Sequence, residues 1–254
     1  MSKDTKTNCA ARGALKIGLN SLSQRSGVPA IAGTEAFADV MMELLRLTLD
    51  RNETINLTTI TEPEEFIRLQ IIDSLAPVGL PELERAEKVV DVGSGAGFPG
   101  LPLAALYPEK RFLLTDSLRK RIEFAGFAAA ALGLRNVDTL HSRAEKAGRD
   151  PAFREYFDLA LCRAVGKLPL VLEYCLPLVK LGGAVIFYKT ESARTEIEES
   201  ILARRLLGGS KEVKIETYED ILPERKHALF IVTKEHPTPE AWPRREGIPS
   251  KTPL

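Results

Sequence analysis

The chain has little of the chemistry that metal or redox sites use. Its three cysteines, Cys9, Cys162 and Cys175, and three histidines, His141, His227 and His236, are scattered over 254 residues. They form no ligand-type spacing, which argues against a metal site, and three cysteines cannot all pair internally. Net charge is absent as well: Lys+Arg and Asp+Glu stand at 35 each, so no global field draws the chain to nucleic acid or to a membrane. Any basic binding surface must then be a local cluster. Uninterrupted apolar sequence is missing from the N-terminus, and no run approaches the length of a membrane span. These absences describe a soluble, cytoplasmic protein without metal, expected as a monomer. What is present is enough apolar sequence, 44%, to bury the core of one large domain with a small appendage.

Residues 1–33 mix polar residues with Gly, Ala and Ser and read as a loosely ordered extension. From Thr34 a helix is expected, because Phe37, Val40, Met41, Leu44 and Leu45 share one face and Glu35 lies in the first turn. A second helix is expected from Thr61, whose hydroxyl and Glu64 three residues later match a capping box, with Phe66, Ile67 and Ile71 buried. Residues 34–85 thus read as a helical cap.

From residue 86 to 235 strands and helices alternate. Strands are expected near 88–92, 111–116, 136–140, 158–163, 183–188 and 227–233, and helices near 99–107, 118–132, 167–178 and 191–206. Parallel crossovers need helices, so the alternation predicts an α/β fold with a mostly parallel, doubly wound, Rossmann-like sheet. A further strand at 211–217 has no helix before the last one, which predicts an antiparallel edge hairpin. Residues 236–254 are rich in proline and basic residues and read as an extended tail.

The most informative segment joins the first strand to its helix. Four glycines, Gly93, Gly95, Gly97 and Gly100, fall within eight residues. Such spacing lets the backbone turn sharply and approach a ligand, and the next helix offers its unpaired N–H groups. Gly95-Ala96-Gly97-Phe98-Pro99-Gly100 satisfies the dinucleotide fingerprint, and Asp116 ends the second strand 21 residues after Gly95. An acidic residue there suits a ribose whichever nucleoside cofactor is bound. Two features shift the balance from NAD to S-adenosylmethionine. Asp91, just ahead of the glycines, would repel a pyrophosphate yet suits a cofactor carrying an ammonium and a sulfonium. Pro99 and Pro102 remove N–H groups from a would-be phosphate cradle.

Several neighbours read two ways. Asp91 is either a partner for cofactor charge or a local cap, and Asp116 either a ribose ligand or an N-cap, a task Ser117 also fits. After the third strand, Ser142-Arg143-Ala144-Glu145 lies where open α/β sheets bind ligands, so the amides of Ala144 and Glu145 face an adenine edge or simply make a turn. Arg163, closing an apolar strand, is either an active-site cation or one arm of a structural salt bridge.

In order and spacing, these segments are similar to the 16S rRNA guanine-N7 methyltransferases, also called glucose-inhibited division protein B or small-subunit rRNA methyltransferase G. The resemblance covers about residues 34–254. It is carried by Asn52-Glu-Thr-Ile-Asn56-Leu57-Thr58, Ile72-Asp73-Ser74-Leu75, the glycine loop from Asp91, Asp116-Ser117-Leu-Arg-Lys120-Arg121, Ser142 to Glu145, Cys162-Arg163-Ala164 and the tail from Trp242 to Leu254. It implies a class I methyltransferase that moves a methyl group from S-adenosylmethionine to N7 of a single guanine, position 527 of 16S rRNA, with naked rRNA or the small subunit as partner. The cofactor set it implies is Gly93, Ser94, Gly95 and Phe98 in the loop, Asp116 and Ser117, Ala144 and Glu145, and Arg163. Two positions depart from the family pattern: Gln70, where histidine is more common, and Thr190, where glycine is.

Guanine N7 carries a free lone pair, so no general base is expected, and rate enhancement should come from positioning and electrostatics. Arg163 then positions cofactor or RNA. Asp73 is a second candidate, holding the guanine edge, or else a plain helix-surface carboxylate. RNA contacts are expected from Arg119, Lys120, Arg121, Arg143, Lys189, Arg225, Lys226, Arg244, Arg245 and Lys251. Trp242 either stacks on an exposed base or packs the tail onto the domain. The competing functions are a nicotinamide-dependent oxidoreductase using the literal fingerprint and a non-catalytic ribosome-assembly factor.

Overall fold

The computed structural model describes residues 3–219, 222 and 226–254. Seven strands form one sheet: β1 Lys88–Val92, β2 Arg111–Asp116, β3 Val137–His141, β4 Phe157–Arg163, β5 Val179–Thr190, β6 Lys214–Thr217 and β7 His227–Thr233. Their order is β3-β2-β1-β4-β5-β7-β6. The first five are parallel, and β7 runs antiparallel to both β5 and β6. The expected edge hairpin is therefore present, with β7 inside and β6 outermost. Val89, Val90, Asp91 and Val92 are all buried, as befits a strand covered on both faces.

Strand alternation divides the core in two. Val89, Leu159 and Leu161 face one cluster, while Val90, Val92, Ala160 and Cys162 face the other. The first cluster is closed by α1 Lys3–Leu22, α2 Glu35–Asn52, α3 Pro63–Phe66 with the π-helix Ile67–Ile72 that continues it, and the short α4 Pro81–Glu84, together with α5 Gly100–Leu106 and α6 Arg119–Ala131. The second is closed by α7 Ala144–Ala147, α8 Leu168–Cys175 and the last turns of the chain before β6, α9 Thr195–Glu199 and α10 Ile201–Leu207. Asp91 and Arg163 stand in register with Val89 and Leu161, so both point to the face that the cap covers.

Four local expectations are corrected. Residues 3–22 are helical rather than loose: Ala11, Leu15, Leu19 and Leu22 form a buried stripe, and Gly18 lets the helix approach so closely that a Cβ there would lie 2.6 Å from Ile72 Cδ1. Arg12 pairs with Glu35 and Asp39, and Lys16 with Glu35, tying α1 to α2. The cap of α3 is Glu62, whose carboxylate accepts from Glu65 N, because Pro63 occupies N1 and moves the start past Thr61. The helix expected at 191–206 is divided into a 3-10 turn, α9 and α10, with Ser200 between the last two.

The tail is not free and extended. Arg154 collects its carbonyls, donating to Thr238 O (2.6 Å) and Trp242 O (2.9 Å), and Gly247 N donates to Glu145 Oε1 (2.9 Å). Buried Lys234 Nζ donates to Leu176 O and stands 3.2 Å from Glu155. The chain then ends in a single turn, α11 Ile248–Lys251.

Candidate active site

The carboxyl ends of β1, β2, β3 and β4 open onto one edge of the sheet. There the glycine loop folds back over β2: Gly93 N and Ser94 N both donate to Thr115 O, at 2.8 and 3.1 Å. Gly93, Gly95 and Gly97 all have positive φ. Asp116 closes the loop from the other side, accepting from Gly95 N (2.9 Å) on one oxygen and from Leu118 N (2.7 Å) on the other. Asp116 thus ties the glycine loop to the turn that leads into α6, whose N-cap position is Leu118.

Beneath the loop, Asp91 Oδ2 accepts from Gly100 N at 2.8 Å, while Oδ1 is buried without a hydrogen-bond partner. Burial pushes this carboxyl up to about 7; the Gly100 N–H and the Arg163 charge oppose the shift, and Asp116 adds to it. Asp91 therefore caps the helix and still has one oxygen to offer. Ser94 Oγ is a second buried polar atom without a partner.

A cavity of about 330 Å³ lies beside this loop, lined by Gly93, Asp116, Ser117, Ala144, Glu145 and Val165 among others. It unites the residues predicted from three separate strand ends. Arg121 and Arg143 stand on its rim. Of the predicted cofactor residues, Ser94, Gly95, Phe98 and Arg163 do not line it. Phe98 is buried instead in the core, its ring edge-on to Phe66 of the cap at 5.5 Å.

A second cavity, of about 430 Å³, opens between the cap and the ends of β4 and β5. It shares Ala164 and Val165 with the first, and Ala164 holds a left-handed φ of 57° at the junction. A residue other than glycine in that region stores strain, typically about 1–3 kcal/mol, that its surroundings must impose. Arg163 points into the second cavity, where its guanidinium donates to Asp73 Oδ2 (2.9 Å), to Leu69 O (3.1 Å) and to Gln70 Oε1. Gln70, a departure from the family pattern, is thus a direct partner of the arginine. Thr190, the other departure, lines the same cavity.

Asp73 is no surface carboxylate. It is buried, and its Oδ1 accepts from Tyr218 OH at 2.9 Å and meets His227 Nδ1 at 3.0 Å. Burial acts to raise its pKa, but the His227 hydrogen bond and the Arg163 charge outweigh that, and the net shift is downward. Neither Tyr218 nor His227 was singled out by the sequence. Because β7 runs antiparallel, its first residue lies at the same edge as the last residues of β4 and β5. Only the strand alternation of 211–217 and 227–233 hinted at that placement.

The basic candidates separate. Arg119, Lys120 and Arg245 are exposed, and Arg119 comes no closer than 3.9 Å to Glu123. Arg143 stands 3.6 Å from Glu246, and Lys226 and Lys251 are exposed. Lys189 is largely enclosed in the second cavity, donating to Gly166 O and Glu196, both at 2.7 Å. Arg244 is committed to the buried Glu173 through a 2.5 Å contact, so it anchors the tail instead of offering a free cation. Half-buried Trp242 packs against the second core cluster with the Arg244 guanidinium over its ring, the packing reading of the two. Arg225 lies outside the described residues. Among the described residues, no group of three His, Cys, Asp or Glu side chains is placed to hold a metal, and no helix is long and apolar enough to cross a membrane.

The sheet order with its reversed β7, and a glycine loop ahead of an acidic strand end, define the Rossmann-like methyltransferase class. Solved structures agree on the fold: the S-adenosylmethionine-dependent methyltransferase SibL superposes with a TM-score of 0.53 at 16% identity, over 80% of this chain and 71% of that one. Cofactor-bound Rv0187 from MTB gives 0.53 at 16%, over 82% and 94%.

The sequence narrows the class. Residues 38–219 match the family model GidB, rRNA small subunit methyltransferase G. The ribosomal RNA small subunit methyltransferase G of Desulfitobacterium hafniense is 45% identical over 80% of this chain and 83% of its own length, and that of Clostridium beijerinckii is 42% identical over 87% and 90%. The chain belongs to the GidB family of methyltransferases. The nicotinamide reading of its glycine fingerprint gives way to that membership.

Proposed function

We propose that the chain transfers the methyl group of S-adenosylmethionine to N7 of one guanine in 16S rRNA, position 527. The observation that carries the reading is the pair of cavities meeting at Ala164 and Val165, one beside the glycine loop and the end of β2 and one bounded by the cap. A donor in the first and a base in the second would meet at that shared wall.

The residues of the first cavity fit such a donor. Beside that cavity, a Cβ on Gly95 would meet nothing within 4 Å, which leaves the loop backbone room for a ligand, and beneath the loop the buried Asp91 Oδ1 has no hydrogen-bond partner. Asp116 and Ser117 would take the ribose, and Ala144 and Glu145 the adenine edge. When bound, the cofactor supplies an electrophilic methyl on a sulfonium. Arg163, fixed by Asp73 and Gln70, would orient the guanine in the second cavity. The carboxylate of Asp73 already has donors on both oxygens, and Lys189 is paired. Neither is poised to take a proton, which suits attack by a lone pair that carries none.

The test is incubation of the protein with labelled cofactor and small-subunit rRNA lacking its native methylations, followed by mapping through cleavage at N7-methylguanine. A single label at a guanine N7 is expected. Label on a pyrimidine or an exocyclic amine overturns the N7 assignment, and no transfer to RNA overturns the substrate.

A further inference from the structure

A third concavity, of about 360 Å³, lies outside both cavities, between the end of α2 and the outer face of α6. Its walls are Arg51, Ile55, Lys120, Glu123, Phe124 and Phe127. Phe127 is 57% exposed, while Phe124 on the same helix is buried. The two rings are tilted by 44° with centroids 6.5 Å apart, so Phe127 presents a shelf backed by apolar side chains. Arg51 and Lys120 are both exposed, and neither side chain has an ion pair or hydrogen bond among the described residues. The one carboxylate in the groove, Glu123, has Arg119 at 3.9 Å.

Two segments of chain lead from the groove toward the proposed site. Lys120 adjoins Arg121, which stands at the cofactor cavity. On the other side, the loop after α2 carries Ile55 in the groove and Ile60 in the acceptor cavity. Asn52 holds that loop in place: its Oδ1 accepts from Leu57 N and Thr58 N at 2.8 and 3.0 Å, and its Nδ2 donates to Thr58 O. The wall of the groove that carries Ile55 is therefore held by fixed backbone, and Phe127 stands on α6 opposite it.

An exposed aromatic face flanked by unpaired cations matches an unstacked base with its phosphates. Every base has a π-face, so stacking needs no sequence readout, and arginine and lysine neutralise the backbone. A purely apolar partner would leave both cations without counter-charge. We propose that this groove is a second RNA-binding site, which stacks one unpaired base of the substrate RNA on Phe127 and grips the adjoining phosphates with Arg51 and Lys120. The proposal rests on the rRNA reading above and adds an anchor away from the acceptor cavity.

Equilibrium binding of an unmodified 16S rRNA transcript to the full chain, measured across a salt series, tests it. Calorimetry with S-adenosylhomocysteine serves as the control for folding and cofactor binding. Phe127→Ala should weaken RNA binding about 10-fold, in line with loss of one stacked base, and Phe127→Trp should restore it. The double variant R51A/K120A should weaken binding and reduce the log–log salt slope by about 1 to 2. Cofactor-product affinity should be unchanged in all three. Wild-type RNA affinity and salt slope in both the alanine and the double variant overturn the proposal. So does a defect seen with assembled small subunits but absent with the transcript, which assigns the groove to a protein. Failure of the rRNA reading is distinct, because then the wild-type chain itself methylates neither the transcript nor assembled small subunits that lack their native methylations.

Discussion

Gly93 has φ of +73°, and a Cβ built there would lie 2.5 Å from Val165 Cγ2, at the wall shared by the two cavities. Gly93→Val should therefore displace Val165 and abolish binding of S-adenosylhomocysteine by calorimetry while the chain remains folded. Undiminished binding would remove the loop from the site. Gly95→Ala meets no atom and bears only the strain of a left-handed φ, about 1 kcal/mol, so it should bind more weakly without losing binding. At Asp91 the prediction concerns pH. Its folded-state pKa is raised to about 7 from 3.8, so between about pH 4 and 7 the native state keeps a proton that the unfolded chain releases. Stability should fall as pH rises through that window, by up to about 1.4 kcal/mol per unit of difference, and Asp91→Asn should flatten the slope in denaturant titrations. The glycines and both aspartates were legible because turns and strand ends have local signatures. The orphaned Oδ1 of Asp91 was not, since it depends on which N–H the next helix brings within reach.

At the scale of elements, the strands followed from apolar runs and the edge hairpin from the missing helix between the last two, and β1, β2 and β7 begin and end where those runs do. What escaped were segments whose order comes from distant partners. The stripe Ala11, Leu15, Leu19, Leu22 is short, and α1 is interrupted by Gly13 and Gly18, which read locally as helix-weakening. Gly18 instead permits the approach to Ile72. Leu15 is fully buried, so Leu15→Ala should cost about 2 kcal/mol or more and raise amide exchange throughout α1. If α1 exchanges as fast in the wild type as in the variant, it is not docked. The tail was misread for a related reason: proline content announces extended backbone but not the Arg154 that binds its carbonyls. Glu173 has no exposed side-chain surface, and Arg244 supplies its charge partner. Arg244→Ala should lower stability by about 2 kcal/mol, less than the 3–5 kcal/mol of a fully buried pair because Arg244 is partly exposed. Arg245→Ala, on an exposed residue, should leave the melting temperature nearly unchanged. A reversed ranking in thermal melts would return Arg244 to the RNA-facing set.

Across the whole molecule, three parts that are remote in sequence converge on one carboxylate. The cap brings Asp73, β4 brings Arg163 from 90 residues away, and the edge hairpin brings Tyr218 and His227. Asp73 and Arg163 each drew notice in the sequence, yet nothing local could pair them, because the register of β4 and the fold of the cap decide it together. Asp73→Asn removes the counter-charge of an arginine that is itself mostly buried, and should cost about 3 kcal/mol or more. Tyr218→Phe removes one hydrogen bond and leaves the ion pair, for about 1 kcal/mol. Since the Asp73 pKa is lowered, the ion pair's contribution is fully present above pH 4 and is lost only as pH falls below that, through its folded value. The difference between wild type and Asp73→Asn should thus shrink in acid, as the carboxylate that meets Arg163 and His227 becomes protonated. Function should divide along the Ala164–Val165 wall. Asp73→Asn, assayed where it remains folded, should lose methyl transfer to RNA while its affinity for S-adenosylhomocysteine stays within about 2-fold, a change below about 0.5 kcal/mol. A parallel fall in both would mean that the two cavities act as one, and that the ion pair shapes the donor site as much as the acceptor's.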